Sequence, residues 1–131
     1  VMKKGEHSST FGGNPLACAA GTATLHALTQ DGLIENAKSI GEKFSNGLEE
    51  LKSKHPIIRE IRGKGLMIGV ELKFEVKDIL MEGIKNGLLL LYSGRNILRF
   101  LPPLVISEED TVKTLQILDK LLTNEENRRN A

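Results

Sequence analysis

The chain has 131 residues, of which 40% are hydrophobic and 27% are charged, and its formal net charge is +1. This length and composition predict a globular chain with one modest hydrophobic core. Because the net charge is near zero and the aromatic residues are few (four Phe, one Tyr and no Trp), we expect neither a nucleic-acid partner nor an anionic-membrane partner.

The sequence has no pattern typical of secretion or of a transmembrane span. Its longest apolar run, residues 87–92 (GLLLLY), has the length of a strand and is far too short to span a bilayer. A single cysteine, Cys18, excludes an internal disulfide, and its place among small helical residues predicts a buried, reduced thiol. We therefore expect a cytoplasmic location.

The most informative stretch is residues 7–17 (HSSTFGGNPLA), where hydroxyl residues precede two glycines and the start of a helix. Asn14 is a favourable N-cap, and Pro15 suits the first helical position. Hydroxyls, flexible backbone amides and the positive end of a helix together suit a phosphate. The same pattern fits a plain capped helix after a glycine turn, and the spacing alone leaves both interpretations open. The loop starts almost at the first residue, which suggests a chain that begins within a longer polypeptide.

Two helices are predicted next. Dense small and apolar residues predict a helix over residues 15–29, apolar nearly all round and therefore either buried or packed against another chain. An amphipathic helix follows to about Lys54, because Pro56 prevents its continuation. Gly41 and Gly47 lie inside this helix, and since glycine weakens a helix, both indicate close packing.

Short β-like segments alternate with helices in the remainder. The pattern predicts strands at residues 57–61, 66–72, 88–92 and 97–101, and helices over 76–86 and from 107 onward. Residues 62–65 (RGKG) predict a hairpin, because the spacing of a phosphate-binding loop is absent. This order predicts an α+β fold of two layers, a small, mostly antiparallel sheet with helices on one face. We expect an interdomain segment over residues 1–30, a small domain over 31–124 and a frayed tail over 125–131.

Arg99 is the second candidate functional residue. In residues 97–101 (ILRFL), strand alternation places Arg99 on the same face as Ile97 and Leu101. An arginine among apolar neighbours is costly unless paired, and its planar guanidinium matches a carboxylate through two parallel hydrogen bonds. The expected partner is therefore either the carboxylate of a small acid or an Asp or Glu of this chain. The three histidines show no metal-ligand spacing, and the sequence identifies no nucleophile or general base.

Three motifs in this order resemble the C-terminal part of class III pyridoxal-phosphate aminotransferases. They are residues 7–17, residues 62–71 (RGKGLMIGVE) and residues 96–104 (NILRFLPPL). The resemblance covers nearly the whole chain and is greatest to the acetylornithine aminotransferases of arginine biosynthesis and their relatives in lysine biosynthesis. Ornithine aminotransferases are similar at the same motifs. The resemblance implies the fold of the C-terminal small domain of fold-type I aminotransferases.

The resemblance also implies roles for three residues. Thr10 matches the threonine that contacts the phosphate of pyridoxal 5'-phosphate in the neighbouring subunit of a dimer, and Ser9 matches the adjacent hydroxyl residue, which shares that contact. Arg99 matches the arginine that holds the α-carboxylate of the amino-acid substrate. In the family, the Schiff-base lysine and the aspartate facing the pyridine nitrogen lie upstream of these motifs. No lysine of this chain is therefore assigned as catalytic.

Two hypotheses about activity follow. In the first, the chain is the C-terminal domain of such an aminotransferase and is inactive alone. In the second, it is a catalytically inactive interaction domain derived from that family, which self-associates through its apolar first helix and an open sheet face. Retention of pyridoxal phosphate and the mass of the chain in solution are the measurements that bear on them.

Overall fold

The computed structural model describes residues 2–130. Along the chain it contains α1 (Pro15–Gln30), α2 (Leu33–Lys54), β1 (Ile58–Lys64), β2 (Met67–Leu72), α3 (Lys77–Lys85), β3 (Leu91–Ser93), β4 (Ile97–Phe100) and α4 (Glu108–Asn130). The order of helices and strands is the one that the sequence predicts. The chain divides into two compact units between Leu33 and Ile34.

The first unit contains the N-terminal loop and α1. Asn14 caps the helix from an extended conformation (φ −67°, ψ 153°), and its side chain accepts a hydrogen bond from the Ala17 amide at 2.9 Å. Within its own unit α1 buries none of its apolar side chains. Cys18 is exposed there, so the expectation of a buried thiol is wrong. Small and apolar residues lie on nearly every side of α1, and no side of the helix is covered by other residues of its unit.

The second unit contains a four-stranded sheet of order β1-β2-β4-β3, in which every neighbouring pair is antiparallel. β1 and β2 form the predicted hairpin, and Gly65 takes the positive φ of +55° that its turn requires. At the centre of the sheet, Ile68, Val70 and Leu98 are buried and alternate with more exposed residues. One face of the sheet therefore faces the core and the other is open.

Three helices cover the core face of the sheet. Phe44 and Leu48 of α2, Ile79 of α3 and Leu118 of α4 all join the same buried cluster as the inward residues of the strands. Phe44 packs edge-on against Phe100 of β4, with ring centroids 5.2 Å apart and an interplanar angle of 89°. This arrangement confirms the predicted α+β architecture of two layers.

The two glycines inside α2 mark close approaches, as the sequence predicts. A Cβ at Gly41 would lie 2.5 Å from the carbonyl carbon of Gly65, in the hairpin turn, and a Cβ at Gly47 would meet the end of the Leu115 side chain in α4. α2 is thus pressed against the hairpin at one point and against α4 at another.

Three element boundaries differ clearly from the predictions. β1 continues to Lys64, past its predicted end at residue 61, because Arg62, Gly63 and Lys64 pair with β2 and leave a tighter turn at Gly65. β3 begins at Leu91 and not at Leu88, because the Leu88 amide bonds the Gly83 carbonyl at 2.9 Å and so belongs to the end of α3. α4 continues to Asn130 where a frayed tail from residue 125 is expected. The reason is ionic: Glu125 is buried and pairs with Arg128 at 2.9 Å and with Arg129 at 2.5 Å. The polar composition of residues 125–131 predicted a frayed tail, but Glu125 pairs with Arg128 and Arg129 and stabilises the end of the helix.

No helix within residues 2–130 has the length and hydropathy needed to cross a bilayer.

Candidate functional site

The loop before α1 is shaped by its own side chains. The Gly12 amide donates to Ser9 Oγ at 2.8 Å, and Asn14 Nδ2 donates to the Phe11 carbonyl at 2.6 Å. A Cβ at Gly12 would lie 2.7 Å from Ser9 Oγ, so only glycine permits this turn without a shift. Gly13 then takes a φ of +76°, which leads the chain into the Asn14 cap.

Ser9 and Thr10 present hydroxyl groups on this loop. Ser9 Oγ accepts a hydrogen bond from the Gly12 amide, so the hydroxyl hydrogen of Ser9 can still be donated to another group. Thr10 is exposed, and within residues 2–130 no hydrogen bond engages its hydroxyl. Two available hydroxyl donors fit a phosphate group chemically. The loop and Arg99 lie in different units of the chain.

Arg99 lies on β4, on the open face of the sheet. Its cross-strand neighbours are Gly69 on β2 and Leu91 on β3. Gly69 has no side chain, and a Cβ there would meet only Ile97 Cγ2 at 3.3 Å and the Arg62 carbonyl at 3.8 Å. An open depression of about 550 Å³ therefore lies beside Arg99.

Arg99 has no carboxylate partner in the described part of the chain. Its Nε is buried and makes no hydrogen bond with any of residues 2–130. A buried donor without a partner costs about 1–3 kcal/mol. Because no Asp or Glu among residues 2–130 pairs with Arg99, the predicted alternative of an internal ion pair is not observed within this range. The planar guanidinium of Arg99 has the geometry to hold the carboxylate of a small molecule through two parallel hydrogen bonds.

The other arginines of the open face are paired, in contrast to Arg99. Arg62 Nη1 lies 2.9 Å from Glu71 Oε2, and Arg59 Nη1 lies 3.2 Å from Glu71 Oε1. Asn96 also donates to Oε1, at 3.2 Å. The hydrogen bond from Arg62, with help from the Arg59 charge, holds the pKa of Glu71 below its ordinary value in spite of partial desolvation. The negative charge of Glu71 is thus taken by neighbours other than Arg99.

Sequence reasoning did not single out Glu71 as a residue of this face. Strand alternation would have placed it beside Gly69 and on the same side of β2. Its partners lie in β1 and in the turn before β4, which are distant in sequence, so no local spacing predicts these contacts. Within residues 2–130 no group of His, Cys, Asp and Glu has the geometry of a metal site.

The chain matches the family model of the class-III aminotransferases over residues 1–122. It is 49% identical to the acetylornithine aminotransferase of Caldanaerobacter subterraneus, over 94% of this chain and 32% of that protein. The ornithine aminotransferase of Bacillus cereus is 42% identical over 94% of this chain and 31% of its own length. The chain thus spans about a third of the length of the curated relatives it matches.

Solved structures agree with the sequence comparison. The acetylornithine aminotransferase of Elizabethkingia anophelis superimposes with a TM-score of 0.84 at 36% identity, over 94% of this chain and 32% of that one. The ornithine aminotransferase of Toxoplasma gondii gives a TM-score of 0.86 at 36% identity, over 97% of this chain and 31% of its own.

Proposed function

The chain belongs to the class-III aminotransferases, and from this we propose that it acts as the C-terminal domain of a pyridoxal-phosphate-dependent aminotransferase of the acetylornithine or ornithine type. Its pathway would be arginine or lysine biosynthesis. Residues 1–30 then form the segment that joins an upstream large domain, and residues 31–124 form the small domain. We expect these 131 residues on their own, without the lysine that holds the cofactor in the family, to retain no cofactor and to show no transaminase activity.

The observation that carries this proposal is the unpaired guanidinium of Arg99. We assign to it the α-carboxylate of the amino-acid substrate, which it orients through two parallel hydrogen bonds. Glu71 supports this role because it engages Arg59 and Arg62 and leaves Arg99 free for a ligand.

For the cofactor, we propose that Thr10 and Ser9 donate hydrogen bonds to the phosphate of pyridoxal 5'-phosphate held by a neighbouring subunit. When bound, that cofactor withdraws electrons from the substrate bond that breaks at the α-carbon. The hydrogen bond from the Gly12 amide to Ser9 fixes the loop in which both hydroxyls lie. The unburied apolar surface of α1 supports self-association as a homodimer. A cytoplasmic location stays a prediction.

A chimera tests these assignments separately. The chain replaces the matching third of the Caldanaerobacter acetylornithine aminotransferase, and transamination and retained pyridoxal phosphate are measured. Arg99→Lys should raise the KM for the amino acid about tenfold or more, because the bidentate contact is lost, with the cofactor retained. Thr10→Ala should lower cofactor retention and leave that KM nearly unchanged.

Matched controls accompany both variants. Arg95 is an exposed arginine of the turn before β4, so Arg95→Lys should leave both readouts at the parent values. Thr24 is an exposed threonine of α1 whose hydroxyl bonds the Ala20 carbonyl, so Thr24→Ala should retain the cofactor. An unchanged KM in Arg99→Lys would contradict the carboxylate role, and unchanged cofactor affinity in Thr10→Ala would contradict the phosphate role.

A further inference from the structure

Gly69 lies in the middle of the sheet, directly between two arginines. It pairs with Arg62 of β1 on one side and with Arg99 of β4 on the other. Directly opposite residues point to the same face of a sheet, so this row presents two arginine side chains on the open face with no side chain between them. Because neighbouring strands lie about 4.8 Å apart, the backbones that carry the two arginines are roughly 10 Å apart. A gap one side chain wide therefore lies beside Arg99.

Glycine is an unfavourable residue for the interior of a strand. It has no side chain to pack and loses more backbone freedom on folding than any other residue. A strand glycine is therefore usually explained by a positive φ, by a bulge, or by a close approach of another group. The φ of Gly69 is not positive, and its register with both neighbouring strands is regular. The first two explanations thus do not apply to Gly69.

Packing within the sheet does not require glycine at this position either. A Cβ on Gly69 would lie 3.3 Å from Ile97 Cγ2, a contact that a small shift of this methyl group relieves, and 3.8 Å from the carbonyl of its β1 partner. No atom of Arg99 lies within 4 Å of that Cβ. Gly63 is different, because a Cβ there would collide with the backbone carbonyl of Met67. The remaining explanation for Gly69 is the approach of a ligand from the open face.

The charges around the gap suit an acid. The depression of about 550 Å³ over Gly69 is lined by three cationic side chains, those of Arg62, Lys64 and Arg99. No Asp or Glu within residues 2–130 lines it. Arg62 is engaged by Glu71, whereas Arg99 has no carboxylate partner in the same part of the chain. An anionic group that enters the gap therefore meets a free guanidinium on one side.

We propose that Gly69 is a specificity-determining residue, which leaves open the space that the carboxylate of the substrate and the group on its α-carbon occupy beside Arg99. This inference rests on the proposed function, because it takes Arg99 as the residue that holds the carboxylate. Cβ atoms of directly opposite strand residues lie about 4.5–5.5 Å apart, so a branched side chain at position 69 would lie along the stem of Arg99 and block the acid. The glycine lowers the stability of β2 and keeps Arg99 accessible.

The chimera with the Caldanaerobacter enzyme tests this role with Gly69→Val. Valine favours strands, so the 131-residue chain with this substitution should unfold at the parental urea midpoint or above it. In the chimera, the KM for the amino acid should rise about tenfold or more, because the side chain fills the space of the acid. The effect on kcat should be smaller, and pyridoxal phosphate should be retained. The inhibition constant of valerate, an acid without an amino group, should rise with the KM.

Tyr92→Val is the matched control. Tyr92 is an exposed residue of β3 that follows Leu91, the cross-strand neighbour of Arg99, so strand alternation places its side chain on the other side of the sheet. This variant should keep the parental KM and the parental inhibition by valerate. A parental KM in Gly69→Val would overturn the proposal, and so would an equal rise of KM in Tyr92→Val.

Arg99→Lys in the same chimera separates this inference from the proposed function. A raised KM in Arg99→Lys together with a parental KM in Gly69→Val would overturn the role of Gly69 alone. A parental KM in Arg99→Lys would overturn the carboxylate contact on which both depend. If the valine variant does not fold, Gly69→Ala decides: it should raise the KM in the same direction by a smaller factor, and a parental KM would overturn the proposal.

Discussion

Replacing Gly41 by alanine should destabilise the protein, although the same change inside most helices stabilises it. In a helix interior, alanine is favoured over glycine by about 1 kcal/mol. Gly41 is buried in α2, however, and a Cβ there would lie 2.5 Å from the Gly65 carbonyl carbon and 2.8 Å from the Gly65 Cα. Non-bonded carbon atoms prefer about 3.5–4.0 Å.

The size of the effect follows from what the methyl group meets. Overpacking a dense core costs about 1–3 kcal/mol. Here the obstacle is backbone in a tight turn with a φ of +55° at Gly65, which has no rotamer to change, so the cost lies at the upper end of that range. Subtracting the helical gain of about 1 kcal/mol leaves a net loss of about 2 kcal/mol.

Urea unfolding followed by circular dichroism measures this loss. Gly47→Ala in the same helix is the matched control, because the atoms nearest to its methyl belong to the movable end of the Leu115 side chain and not to backbone. That variant should stay within about 1 kcal/mol of the parent protein. A Gly41→Ala protein as stable as the parent would refute the close approach of α2 to the hairpin.

Two further predictions concern the N-cap and the open face. Asn14→Ala removes the oxygen that accepts a hydrogen bond from the Ala17 amide, and it should destabilise α1 by about 1 kcal/mol. Hydrogen exchange of the Ala17 amide measures this effect and should become faster. An unchanged exchange rate would show that the cap does not stabilise the helix. Because its neighbours lower the pKa of Glu71, ionised Glu71 stabilises the fold at neutral pH, and that contribution is lost as the pH falls through a pKa below the ordinary carboxyl range. Glu71→Gln should therefore be less stable than the parent protein at neutral pH and should lose less stability than the parent when the pH is lowered. Urea unfolding midpoints measured across the acid range test this. A midpoint that falls with pH as steeply in Glu71→Gln as in the parent would contradict it.

Local patterns predicted the elements of this fold well. Helical periodicity in α2, the RGKG hairpin and the Pro15 helix start each depend on residues close together in sequence, and the structure has all three. Gly41 and Gly47 were correctly read as sites of close packing, because glycine inside a helix has few other reasons to be there.

Features that depend on distant residues escaped prediction. His55 meets Asp119 and Glu126 across 64 and 71 residues, and no spacing in the sequence announces that meeting. The continuation of α4 depends on pairing of Glu125 with Arg128 and Arg129 and on the stacking of Arg129 over the Phe74 ring at 3.5 Å. For the candidate site, strand alternation correctly placed Arg99 on the same face as Ile97. Whether a carboxylate of this chain pairs with it could not be predicted, because its neighbours come from β2 and β3, which are distant in sequence.

In the role that we propose for Arg99, its unpaired Nε links folding to ligand binding. This donor loses its water when the chain folds, before any carboxylate arrives. Its desolvation cost therefore lowers the stability of the ligand-free fold and is absent from the binding step. A carboxylate that reaches Arg99 removes that penalty, so whatever binds there also stabilises the sheet around it. Under the proposed role, substitution of Arg99 by an apolar residue of similar length would separate the two effects, because the domain should become more stable and should lose the proposed carboxylate contact.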